Sequence, residues 1–78
     1  MSVKAYILIQ ARVGSAVDVA RATAELPEVV SADVAMGPYD VIAHAEAGSM
    51  DDLGQVVVNA VQSIAGVERT LLCPIVKV

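Results

Sequence analysis

The sequence predicts an α+β sandwich in the order β-α-β-β-α-β, with four antiparallel strands and two helices on one face of the sheet. Three observations carry this. Stretches of period-two apolar alternation are interrupted twice by apolar spacing of helical period. Both strand-to-helix junctions read Gly-Ser, at Gly14-Ser15 and Gly48-Ser49. The two halves also end alike: Leu26-Pro27-Glu28-Val29 and Ile64-Ala65-Gly66-Val67 each place an apolar helix end three residues before a valine that opens a strand.

The first strand is expected from Val3 to Val13, because Val3, Ala5, Ile7, Ile9 and Ala11 alternate with more polar neighbours. Ser15 then reads as an N-cap, and Asp18, Arg21 and Glu25 fall on one solvated helix face, leaving Val19, Ala22 and Leu26 inward. Pro27 stops this helix, since its ring is excluded from a helix interior. A strand from Val29 to Met36 and another from Asp40 to Ala47 flank Gly37-Pro38-Tyr39-Asp40, and so short a connection makes an antiparallel hairpin.

Ser49 reads as the second N-cap, with Asp51 and Asp52 at the positive end of the helix dipole. Met50, Leu53, Val56, Val57, Ala60, Val61 and Ile64 form the clearest helical stripe in the chain. Gly66 fits the C-terminal cap. The last strand is expected from Val67 to Lys77, and Pro74 suits an edge strand because it donates nothing to a ladder. Right-handed crossovers then give the strand order 4-1-3-2, the ferredoxin-like arrangement.

At 78 residues the chain makes one domain, 1–78, whose small core barely offsets the entropy of ordering it. Disulfides cannot supplement that core, because Cys73 is the only cysteine; with His44 the only histidine, no metal or cofactor is expected. Hydrophobic residues make up 56% of the chain, more than one small domain hides, so self-association is the expected supplement. Charged and polar residues interrupt every apolar run well before membrane-spanning length, and the first stretch lacks the character of a secretory signal, so a cytoplasmic location is expected. A net charge of −4, with the basic residues scattered, argues against direct nucleic-acid binding.

Alternation assigns Val3, Ala5, Ile7, Ile9, Val30, Ala32, Val34, Val41, Ala43 and Ala45 to the helix-covered face. It leaves Lys4, Tyr6, Leu8, Gln10, Asp33, Ala35, Ile42, His44, Glu46, Thr70 and Leu72 on the open face, half apolar and half polar. A bare face of that kind is costly in water, and packing against the sheet of a second copy is the expected cover.

The Gly37-Pro38-Tyr39-Asp40 turn crowds backbone-bending residues, an aromatic and a carboxylate into four positions. Such residues close any tight hairpin, and Asp often bonds its own turn. The same residues also suit a ligand wall: glycine admits close approach, a turn N–H can donate to a carboxylate, and Asp40 can pair an ammonium. His44 reads as an interface group and Cys73 as a small buried hydrophobe; Asp51-Asp52 is explained by the dipole.

The Val29–Met36 strand, the Gly37-Pro38-Tyr39-Asp40 turn, the helix from Ser49 and the Ala65-Gly66-Val67-Glu68-Arg69-Thr70 entry to the last strand occur in an order that resembles the regulatory (RAM) domain of Lrp/AsnC transcription regulators, here without the helix-turn-helix. The resemblance implies a dimeric α/β barrel assembling into an octamer or similar ring, with an amino acid or related metabolite bound between dimers. It places Gly37, Pro38, Tyr39, Asp40, Thr70 and Leu72 at that site. Pro38 removes one turn donor, and Leu72 stands where many relatives carry a hydroxyl, which points to an effector with a more apolar side or to no small effector at all.

Three classes of function follow. The first is an amino-acid-sensing assembly module that acts through full-length Lrp/AsnC regulators. The second is a structural oligomer or adaptor with no small ligand. The third is a small dimeric α/β-barrel enzyme, disfavoured because the helix-facing positions are almost uniformly Val, Ala, Ile and Leu and supply no acid-base pair.

Overall fold

The computed structural model describes residues 2–76. Its elements are β1 (Val3–Ala11), α1 (Ala16–Ala24), β2 (Val29–Val34), β3 (Val41–Ala47), α2 (Met50–Gln55) continuing as a π-helical segment over Val56–Val61, and β4 (Val67–Pro74). The sheet order is β2-β3-β1-β4, with every neighbouring pair antiparallel, as the β-α-β-β-α-β reading requires. Pro74 lies on the edge strand β4, where its missing N–H costs no ladder bond. The expected extension of that strand to Lys77 lies partly outside the described residues.

The core forms between the helices and one face of the sheet. Ala5, Ile7 and Ile9 of β1 stand opposite Ala45, Ala43 and Val41 of β3, and all six are fully buried. Val19 and Leu53 reach them from α1 and α2, and Val61 from the π-helical segment. Small residues on β3 let both helices lie close to the sheet, so two short helices cover four strands.

Val30 departs from its expected inward place. A bulge between Val29 and Ser31 makes Val29 the buried residue and leaves Val30 61% exposed. The phase recovers by Ala32 and Val34, which pair with Ala43 and Val41.

Thr70 and Leu72 are corrected in the same way. β4 pairs Leu72 with Ile7 and Thr70 with Ile9, so both lie on the helix-covered side, and Leu72 packs against the core. The open side of β4 carries Arg69, Leu71 and Cys73 instead, opposite Gln10, Leu8 and Tyr6. Leu71-Leu72-Cys73 is a continuous apolar run without alternation, and a one-residue slip of phase moves every side chain to the other face.

The helix caps differ from each other. Ser49 accepts the Asp52 N–H at 3.1 Å, whereas the Ser15 side chain makes no capping bond. Ser15 is instead pressed against Gly66, where a Cβ would lie 2.8 Å from the serine Cβ. Gly66 has φ +94°, and its carbonyl accepts the Arg12 N–H at 2.7 Å, joining the entry to β4 with the exit of β1. In α1, Thr23 is buried in addition to the expected Val19, and its hydroxyl donates to the Val19 carbonyl at 2.7 Å. Ala22 and Leu26 are only half-buried.

Candidate functional site

The hairpin between β2 and β3 closes through the Ala35 N–H, which donates to the Asp40 carbonyl at 2.8 Å. Gly37 at its tip has φ +152°, a value that favours glycine over residues with a Cβ. No heavy atom comes within 4 Å of where a Gly37 Cβ would stand. The backbone angle, and not crowding, calls for glycine there.

Three further bonds tie the turn to the end of β1. The Asp40 N–H donates to the Ile9 carbonyl at 2.9 Å, the Ala11 N–H donates to Asp40 Oδ2 at 2.8 Å, and Gln10 Nε2 donates to the Pro38 carbonyl at 2.9 Å. The β1–β4 ladder slips its register between Gln10 and Ala11, and the Asp40 carboxylate takes the Ala11 N–H beside that irregularity. One carboxylate oxygen is thereby committed to the fold. A bond from a backbone N–H to an ionised acceptor contributes about 1.5–3 kcal/mol.

The structure thus brings Gly37, Pro38, Tyr39 and Asp40 together with Ile9, Gln10 and Ala11. Tyr39 and Asp40 are half-buried; Gly37 and Pro38 are exposed. Thr70 stands on the far side of Ile9 from Asp40, two strand spacings or about 10 Å across the sheet. Its hydroxyl accepts a hydrogen bond from Gln62 Nε2 at 3.0 Å, which places it with the helix layer. Leu72 is one side-chain repeat further from the rim, level with Ile7.

Gln10 and Ala11 were not candidates from the sequence. They lie 28 and 29 residues from their turn partners, and nothing in the local pattern signals so distant a bond.

The open face of the sheet adjoins this rim. Tyr6, Ile42 and Leu71 are 47%, 38% and 46% exposed there. The Tyr6 and His44 rings lie 5.5 Å apart, and His44 Nε2 is buried with no hydrogen-bond partner among the described residues. Cys73, expected as a buried hydrophobe, is half-buried beside Tyr6 on this side.

An open groove of about 390 Å³ between β3 and α2 includes Glu28, Gly48, Asp52, Gln55 and Asn59 in its lining. It follows the last residue of β3, whereas the turn precedes the first, so the two features are separated by the length of that strand, roughly 20 Å. Among the described residues no helix is long and apolar enough to cross a membrane, and no three His, Cys, Asp or Glu side chains gather as a metal site.

Residues 4–77 match the family model of the Lrp/AsnC ligand-binding domain. The fold is similar to that of TTHA0845 from Thermus thermophilus, with 32% identity, 97% of this chain and 95% of that one covered, and a TM-score of 0.91. It also resembles AsnC of E. coli at 22% identity and a TM-score of 0.88, covering 96% of this chain and 51% of that one. A transcriptional regulator of Neisseria meningitidis, NMB0573, solved as an L-Met complex, matches at 23% identity and a TM-score of 0.84, with 96% and 50% covered. The chain therefore spans about half the length of these two regulators, and at those identities the likeness is one of fold. No curated protein sequence matches significantly. With the family match running over nearly the whole of a chain that folds in the β-α-β-β-α-β element order, the chain belongs to the Lrp/AsnC ligand-binding domain family.

Proposed function

We propose that this chain is a self-assembling sensor of an amino acid or a closely related metabolite, and not an enzyme. Its ligand wall is the Gly37-Pro38-Tyr39-Asp40 turn, completed by a second copy; Thr70, about 10 Å across the sheet and bonded to Gln62, meets the ligand only as a residue of that second copy. Leu72, on the same strand, supports that rim from the core side. The sensor acts on transcription by assembling with DNA-binding members of its family, dimers joining into a ring.

The observation that carries this reading is the turn itself, held in place by β1 before any ligand arrives. Preorganisation of this kind lowers the ordering cost that binding must meet. The free oxygen of Asp40 suits an α-ammonium, the turn N–H groups suit a carboxylate, and Tyr39 supplies contact area and a hydroxyl. The regulator described as an L-Met complex supports an amino acid as the ligand class.

One observation favours a different reading, a structural assembly without ligand. The Asp40 carboxylate already accepts the Ala11 N–H, so holding the hairpin accounts for its presence.

A thermal-shift panel of the proteinogenic amino acids at up to about 10 mM separates the two. A sensor is stabilised by about 2.7 kcal/mol when ligand stands at a hundred times its Kd, which moves the midpoint of so small a domain by roughly ten degrees or more. At least one amino acid is expected to raise the midpoint in this way. A flat response across the panel would leave the structural assembly as the function.

A further inference from the structure

The turn is gripped by three consecutive residues of β1, and they do not grip the same part of it. Ile9 and Ala11 both hold Asp40, next to the start of β3. Only Gln10 reaches the tip, through Nε2 to the Pro38 carbonyl at 2.9 Å. That carbonyl shares a peptide plane with the Tyr39 N–H. The described peptide bonds are all trans, and a trans unit directs its C=O and N–H to opposite sides. Drawing the carbonyl toward Gln10 therefore points the Tyr39 N–H away from β1, outward from the rim.

Pro38 itself has no N–H, and its ring fixes φ, so beside the Gly37 N–H it is this peptide plane that decides where the tip presents a donor. An outward backbone N–H in a turn is a donor site for an anionic group.

We infer that Gln10 is a positioning residue that aims the Tyr39 N–H at the carboxylate of the bound amino acid. The inference rests on the sensor reading above. Gln10 touches no ligand atom in this role; it acts through the Pro38–Tyr39 peptide.

The test uses Gln10→Met, which keeps the side-chain length but cannot donate, and Gln10→Lys, which restores an N–H donor of similar reach. The probes are L-methionine, followed by the other proteinogenic amino acids, each against its decarboxylated amine. The order of the Pro38–Tyr39 peptide plane is followed by 15N relaxation at the Tyr39 amide in the absence of ligand.

Gln10→Met is expected to weaken amino-acid binding about three- to tenfold, as loss of one net hydrogen bond predicts. It should leave affinity for the amine unchanged, because the amine carries no carboxylate. The Tyr39 amide order parameter should fall while that of Ala43, inside β3, stays the same, and Gln10→Lys should recover most of both effects.

Equal loss for amino acid and amine, an unaltered order parameter at Tyr39, or no recovery in the lysine variant overturns the inference. Wild-type protein that binds none of the amino acids overturns it together with the sensor reading. The relaxation data then still report whether Gln10 holds the tip, so the two failures are told apart.

Discussion

Single residues decide where this small fold is tight and where it is slack, and two glycines mark the extremes. At Gly66 an added Cβ would meet Ser15 Cβ at 2.8 Å and Val19 Cγ2 at 3.2 Å, on a backbone held at φ +94°. The residue cannot relax without moving the Arg12–Gly66 bond that joins β1 to β4. Gly66→Ala should cost about 2 kcal/mol or more, combining left-handed strain with displaced neighbours. Gly54 lies within α2 with nothing near the corresponding position. There the methyl group removes unfolded-state freedom and suits a helix, so Gly54→Ala should gain about 0.5–1 kcal/mol. Urea denaturation of both variants checks the pair. Equal effects would mean that the close approach at Gly66 does not govern that junction.

Elements were legible in the sequence where a pattern repeats, and obscure where phase depends on a distant partner. The β1 alternation and the α2 stripe are long enough to show their periods, and both put most of the expected residues in the core, although Met50 at the start of the stripe is 44% exposed. Leu71-Leu72-Cys73 has no alternation, and its phase is fixed only by pairing Leu72 with Ile7 across the sheet. The bulge that exposes Val30 likewise depends on β3. The candidate turn could be found from its Gly, Pro, Tyr and Asp, but its mooring to Gln10 and Ala11 is a contact between strands far apart in sequence. The two Gly-Ser junctions look equivalent as sequence and are not: Ser49 caps its helix, while Ser15 is turned against Gly66. Ser49→Ala should therefore cost about 1 kcal/mol, with Ser15→Ala within about 0.5 kcal/mol of the parent. A measured loss at Ser15 as large as at Ser49 would assign Ser15 a capping role that the geometry lacks.

At the scale of the whole molecule, the unanswered physical demand is the open sheet face. Four strands about 4.8 Å apart and about seven residues long present a face of roughly 19 by 23 Å, or about 440 Å² in projection. A stable interface takes about 800 Å² from each partner, so the face supplies much of one and the rim must add the rest. The rim can do so, because Met36 beside the turn is fully exposed. That geometry would carry the turn toward a second copy when the sheets pack. Leu71 lies on this face, and Val17 is similarly exposed on α1, across the helix layer from it. As single-chain changes, Leu71→Asp and Val17→Asp should both be mild, since each adds a charge at a site already in water. Sedimentation at micromolar concentration should find Val17→Asp as assembled as the parent and Leu71→Asp reduced to monomer, because taking a carboxylate out of water between two sheets costs several kcal/mol, which Arg69 two residues along the same face only partly offsets. If both variants remain assembled, the interface lies elsewhere, and the turn loses the partner that would complete its ligand wall.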